Sequence, residues 1–235
     1  MTDIVTKALV LHSGGVDSST CLAMAITAHG RENVMAISID YGQRHKKEIT
    51  AAAQICELLD VAHAVYTIEG MPTSMLTDEK AEIPNASYDE LEGVSPTYVP
   101  FRNGQLLSKI TGIAAGLFSK TPEVQVAIYF GAHSEDALNW AYPDCTPEFI
   151  GAMANAIYIG TYHQVRLLTP LMWMMKWQIV QEGNRHGVPW ALTWSCYAGA
   201  DQHCGVCPTC RSRKDAFQKG GVIDPTHYAA SPEKG

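Results

Sequence analysis

Two rhythms of apolar residues alternate along this chain. Short, nearly continuous apolar runs at 8–13, 33–40, 62–69, 125–133 and 165–171 read as five strands, the first of them buried. Between them the spacing turns helical. Residues 18–29 form an Ala-rich helical pattern, and 46–59 carry a stripe of Ile49, Ala52, Ala53, Cys56 and Leu59. Further helices are expected after Phe101-Arg102-Asn103, from Thr146 and from Lys176. At Thr146 the start is well marked: Thr can cap, Pro147 suits the first helical position, and Glu148 favours the positive end of the helix dipole. Its core face would be Phe149, Ile150, Met153 and Ile157. Strand–helix repetition of this kind predicts an α/β fold, a five-stranded and mainly parallel sheet with helices on both faces. Ligands in such folds bind at the C-terminal ends of the strands. Residues 71–96 lack periodicity and are rich in Pro, Ser, Thr, Asp and Glu, so a long loop or lid is expected over 71–98.

Composition narrows the class. At 235 residues the chain suits one domain with a small appendage, here 1–190 followed by a C-terminal segment, 191–235, packed on it. With 46% hydrophobic and 17% charged residues it is globular, not disordered. No apolar run approaches the roughly 20 residues of a membrane span, and no export signal opens the chain, so a cytoplasmic protein without membrane contact is expected. The net charge of −7 argues against a broad nucleic-acid surface, leaving room only for a local basic pocket.

The junction between the first strand and the first helix reads Ser13-Gly14-Gly15-Val16-Asp17-Ser18-Ser19. Paired glycines let the backbone turn and aim its N–H groups at an anion, and the helix adds its positive end. Ser13, Ser18 and Ser19 can add hydroxyl donors. Asp17 would repel bare phosphate, so a Mg²⁺ shared with phosphate oxygens is expected there. The lysine of a P-loop is missing, which excludes that motif.

Four of the seven cysteines cluster as Cys196, Cys204, Cys207 and Cys210, spaced C-x7-C-x2-C-x2-C. Four thiolates in a turn-rich segment suit a closed, structural zinc site, with an iron–sulfur cluster as the rival. His203 is an awkward substitute ligand beside Cys204. Cys21, Cys56 and Cys145 read as small packing residues.

The motif SGGVDSS resembles the signature of the PP-loop, or ATP-pyrophosphatase, family. That resemblance implies ATP bound by its β- and γ-phosphates while a substrate oxygen attacks the α-phosphate. Beyond it, YGQRHKKE (41–48), VPFRN (99–103), YPDCTPEF (142–149), TPLMWMMK (169–176), LTWSCY (192–197) and the cysteines resemble, in order, the 7-cyano-7-deazaguanine synthases of QueC type. The resemblance implies a ligase that turns 7-carboxy-7-deazaguanine, ammonia and ATP into the nitrile through an adenylated carboxylate and an amide. It also implies a homodimer. Two features depart from the family pattern: Phe101 precedes Arg102-Asn103 where many members have glycine, and the loop of 133–145 is longer.

Laid over these motifs, Ser13, Gly14, Gly15, Asp17, Ser18 and Ser19 would hold ATP and its Mg²⁺, with Asp17, Lys176 and Arg102 as the catalytic set. Lys176 would neutralise pyrophosphate. Arg102 suits a carboxylate or a phosphate, against a surface ion pair. The ring's adjacent N–H donors call for a carboxylate, Asp144 first, then Glu135, Asp136 and Glu148. Arg44 and His45 stand at the expected edge of the site, and Trp140 and Trp194 near its loops. Rival readings are transfer of the acyl group to another amine, a PP-loop tRNA-modifying enzyme, and a zinc-knuckle binding module without turnover.

Overall fold

The computed structural model describes residues 5–43, 46–77, 97–118, 124–133, 135–136, 141–198 and 201–229. The chain runs β1 (Val5–Leu11), α1 (Val16–His29), β2 (Val34–Asp40), α2 (Lys47–Leu59), β3 (Ala62–Thr67), α3 (Arg102–Phe118), β4 (Val124–Tyr129), α4 (Pro147–Gly160), β5 (Val165–Leu168), α5 (Lys176–Arg185) and α6 (Pro208–Gly220). The five strands pair in the order β3-β2-β1-β4-β5, every neighbour parallel. This is a Rossmann-like sheet whose order reverses between β1 and β4. At that switch point the connections leave on opposite faces and open a crevice.

Alternation along the strands sorts the core into two layers. Ala8, Val10, Val34, Ala36 and Ala127 face α1, α2, α5 and α6, meeting Leu22, Ile55, Ile179 and Phe217. Leu9, Leu11, Ile37, Ile39 and Ile128 face α3 and α4, meeting Leu107, Ile110, Ile150 and Ile157. Each fully buried aliphatic side chain contributes about 1.5–3 kcal/mol. The C-terminal helix α6 shares the first layer through Ala216 and Phe217, so the cysteine segment is packed onto the sheet domain itself. No helix of the described residues is long and apolar enough to cross a membrane.

Helix starts follow local chemistry. Thr146 caps α4, its hydroxyl accepting the Phe149 N–H at 3.2 Å, with Pro147 next. Ile150 and Ile157 are buried on its core face, while Phe149 and Met153 are only partly covered. The fifth strand ends at Leu168, short of the expected 171, because Pro170 removes a donor and the chain turns there. The expected lid falls largely outside the described residues, as do Arg44, His45 and Trp140.

Phe101 sits at φ 55°, in the left-handed region. A bulky residue in that region costs about 1 kcal/mol. Its ring folds over the first turn of α3, where a Cβ on Gly104 would lie 2.3 Å from it. It also meets Phe149 edge-on at 5.6 Å, contact that offsets part of the strain.

Candidate active site

A cavity of ≈ 280 Å³ opens at the switch point. Its floor is the 13–18 loop, and its walls come from the ends of β2 and β4, the first turns of α2, α3 and α5, and the chain before and within α6. Gly14 takes φ 79°, and a Cβ there would strike the Glu48 carbonyl at 2.5 Å. Only glycine lets α2 pack this closely on the loop. The N-cap of α1 is Gly15, which has no side chain to satisfy the first N–H groups. Those groups are left for an anion. Ser18 Oγ accepts the Ser13 N–H and lies 3.1 Å from Ser13 Oγ, holding the loop in its open curve.

Lys176, first residue of α5, reaches across to this loop. Its Nζ donates to Asp17 Oδ2 at 2.5 Å, and its backbone N–H donates to Glu135 Oε2. Burial opposes ionisation of Asp17, yet the charges of Lys176 and His133 and the Lys176 hydrogen bond outweigh it and hold the carboxyl below its ordinary range. Burial likewise opposes the Lys176 ammonium, and Asp17 and Asp136 reverse the balance, raising its pKa. Beneath them His133 is 2% exposed, with Nε2 at 3.4 Å from Asp136 and 3.8 Å from Asp17. Among the described residues Asp17 Oδ1 is buried without a hydrogen-bond partner, a hard-oxygen donor beside the floor of the cavity.

The C-terminal segment closes the other side. Sγ atoms of Cys196, Cys204, Cys207 and Cys210 all lie within 4.8 Å of one another and can hold a metal ion. Backbone N–H groups of Ala198 and Cys204 donate to Cys196 Sγ, and that of Cys207 donates to Cys204 Sγ, at 3.3–3.4 Å. Such donors stabilise thiolates in a metal site. Buried Arg213 braces the segment, donating to Thr193 Oγ1 at 2.7 Å, to the Trp190 carbonyl and to Asp224. The Trp194 backbone N–H then donates to the Gly14 carbonyl at 2.9 Å, which joins the cysteine segment to the 13–18 loop.

The family described as "Queuosine biosynthesis protein QueC" matches residues 7–221, nearly the whole chain. This chain belongs to the QueC family. Relatives named 7-cyano-7-deazaguanine synthase include that of Chromohalobacter salexigens, 39% identical over 96% of this chain and 87% of its own length. That of Rhizobium johnstonii is 42% identical over 94% and 92%, and that of Nostoc punctiforme 40% over 95% and 100%. Among solved structures, a glutamine-dependent NAD+ synthetase from Acinetobacter baumannii aligns with TM-score 0.37 and 18% identity, over 57% of this chain and 22% of that one.

Within this QueC chain, Ser13, Gly15, Asp17, Ser18, Arg102, Asp136 and Lys176 line the cavity together. Gly14 instead gives its carbonyl to Trp194. Ser19 is fully buried, with its hydroxyl 3.1 Å from His12 Nε2, so it braces the loop from behind. Burial, with His63 nearby, pushes the His12 pKa down to about 3 and keeps that brace neutral. Glu135 secures the start of α5. Asp144, the first choice for the ring, is 4% exposed behind the cavity wall. Its Oδ2 accepts the Asn103 N–H at 2.9 Å, and its carbonyl accepts from Asn103 Nδ2. The YPDC and RN motifs are thus docked on each other, and Asp144 caps α3. Burial raises its pKa, and the Asn103 N–H and Arg102 offset part of the rise. Glu148 lies in the first turn of α4, away from the cavity lining. Sequence reasoning missed Glu48, Tyr41, Asn103, Tyr197 and Arg213, all of which line the cavity. Glu48 and Tyr41 were at hand as the ends of YGQRHKKE, but nothing local says which side of α2 meets the crevice.

Proposed function

We propose that this chain makes 7-cyano-7-deazaguanine from 7-carboxy-7-deazaguanine, ammonia and ATP, as a carbon–nitrogen ligase of queuosine biosynthesis. One observation carries the reading. Lys176 and Asp17 face each other across an uncapped helix start at the switch point of a chain of the QueC family.

The N–H groups of the 13–18 loop and the start of α1 hold the β- and γ-phosphates. Ser13 and Ser18 add hydroxyl donors. A carboxylate oxygen of the substrate attacks the α-phosphorus, the bond to pyrophosphate breaks, and Lys176 counters the charge gathering on the leaving group. Arg102 orients the carboxylate from the opposite wall. Ammonia attacks the acyl carbon, a proton is shed, and AMP leaves to give the amide. The amide oxygen then attacks the α-phosphorus of a second ATP, and the bond to its pyrophosphate breaks. The two remaining N–H protons and AMP are lost, and the nitrile forms.

Asp17 Oδ1, unpartnered among the described residues, suits the Mg²⁺ that accompanies ATP, which supplies charge neutralisation at the phosphates when bound. Four thiols in a tight tetrad suit zinc, and with no position left open its role is to hold the segment. Four clustered thiols kept for a metal also fit the cytoplasm, where disulfides do not persist. The homodimer implied by the family is supported by exposed Ile159, Tyr162, Leu168 and Trp173, apolar surface that a second copy would cover. Equilibrium sedimentation should return twice the chain mass, and a monomer would refute the dimer.

The activity is tested by mass spectrometry of a reaction holding purified protein, ATP, Mg²⁺, ammonium and 7-carboxy-7-deazaguanine. Amide and then nitrile are expected, with pyrophosphate released at each stage. Pyrophosphate without nitrile would overturn the acceptor assignment, and absence of both would overturn the reaction.

A further inference from the structure

Three carboxylates line the cavity among the described residues: Asp17, Glu48 and Asp136. Asp17 is bonded to Lys176, and Asp136 lies against His133. Glu48 differs. Among the described residues its carboxylate makes no hydrogen bond and no ion pair within 4 Å, although it lines the cavity. Its place is enforced from behind, because the Glu48 carbonyl stands where a Cβ on Gly14 would be, fixing the first turn of α2 against the phosphate loop. Burial pushes its carboxyl pKa up to about 7, against the pull of Arg102. A half-buried acid of this kind gains most from a ligand that brings N–H donors to it.

The substrate proposed above has such donors. On a 7-deazaguanine ring the C7 carboxylate lies beside O6, O6 beside N1–H, and N1–H beside the 2-amino group. Arg102 and Glu48 are electrostatic neighbours in the cavity, and the Arg102 guanidinium lies 5.9 Å from the centre of the Tyr41 ring. A cation beside an anion matches an acceptor edge beside a donor edge. Tyr41, Tyr197 and Leu76 give the same cavity flat and apolar wall. Asp144, the other carboxylate of suitable type, is already committed to Asn103.

We infer that Glu48 is the specificity-determining residue for the purine-like ring, its two oxygens accepting N1–H and the 2-amino group while Arg102 serves the O6 and carboxylate side. This rests on the substrate reading above and deepens it. It makes the protein a reader of the 2-amino group, selective against ring acids of hypoxanthine type.

The test is calorimetric binding of 7-carboxy-7-deazaguanine and of its analogue lacking the 2-amino group, to wild type and to Glu48→Gln, with ATP affinity and steady-state kinetics in parallel. Wild type should prefer the amino-bearing acid by roughly 10- to 100-fold, because a site built to pair N–H groups rejects a ligand lacking them. Glu48→Gln places an amide donor against the ring donors. It should weaken the acid by a similar factor and shrink the preference to about twofold, with ATP affinity held within about twofold. Equal binding of both acids by wild type overturns the inference with no variant involved. Unchanged acid binding with a collapse of kcat in Glu48→Gln would make Glu48 a proton-handling group, and weakened ATP alone would make it a nucleotide contact; either overturns the inference. Wild type that binds neither acid overturns the substrate reading and this inference with it, whereas nitrile formation by wild type without 2-amino preference overturns only the inference.

Discussion

Lys176→Met is expected to lower kcat for pyrophosphate release by ~100- to 1,000-fold, the scale found when one preorganised charge is withdrawn from a developing anion. The lysine meets Asp17 Oδ2 at 2.5 Å, and both side chains are about a quarter exposed, 22% and 24%, so the loss is one of chemistry more than of folding. The melting temperature should therefore move by only a few degrees. Removing the ammonium also removes the second-largest influence on Asp17, after burial, and the largest of those that keep its carboxyl ionised. The sign of the pH effect follows. Asp17 titrates below its ordinary range while paired, so its ion-pair stabilisation is present above the unfolded carboxylate pKa and is lost as pH falls through the folded value. In Lys176→Met that acid limb of the stability profile should shift upward. Stopped-time pyrophosphate assays and thermal melts against pH read both effects. A variant with full kcat would remove Lys176 from the reaction.

Stripping the metal from the four-cysteine cluster should have the second large effect. A chelator, or Cys207→Ala, is expected to lower the melting temperature by roughly 10 °C and to cost at least ~100-fold in activity, since a structural metal contributes its binding free energy to folding. The reason activity falls lies in the connections. Cys196 is two residues from Trp194, whose backbone N–H holds the Gly14 carbonyl, and Cys207 is the N-cap of α6, which carries Arg213. Losing the tetrad releases one wall of the cavity and one anchor of its floor. Metal analysis should find one zinc per native chain and none in the variant. Full activity in metal-free protein would sink the structural role.

Much of this was legible in the residues. Apolar runs at 8–13 and 33–40 and the helical stripe of 46–59 announce β1, β2 and α2, because a short continuous run or a 3.6 period is a local property of the chain. The same holds for the cap at Thr146 and for the glycine pair before Val16. Cysteine spacing announced a four-thiol cluster able to hold a metal because ligands close in sequence need only short turns to converge. Asp144 shows the limit. By residue type it suits a ring N–H pair as well as any carboxylate, yet the Asn103 N–H, 41 residues away, takes it. Ser19 was expected to face phosphate with Ser13 and Ser18, but its helical position turns it to His12.

The sequence by itself determined the order of elements, the glycine turn before α1, the cysteine tetrad and the family, all written in short segments or in their succession along the chain. The tertiary structure alone decided which acids and bases meet. Lys176 finds Asp17 across 159 residues, and Glu48 stands at the cavity while Asp144 stands behind its wall. The physical reason is that hydrogen bonds and ion pairs act over a few ångströms, and those separations exist only once the two apolar layers have packed against the sheet.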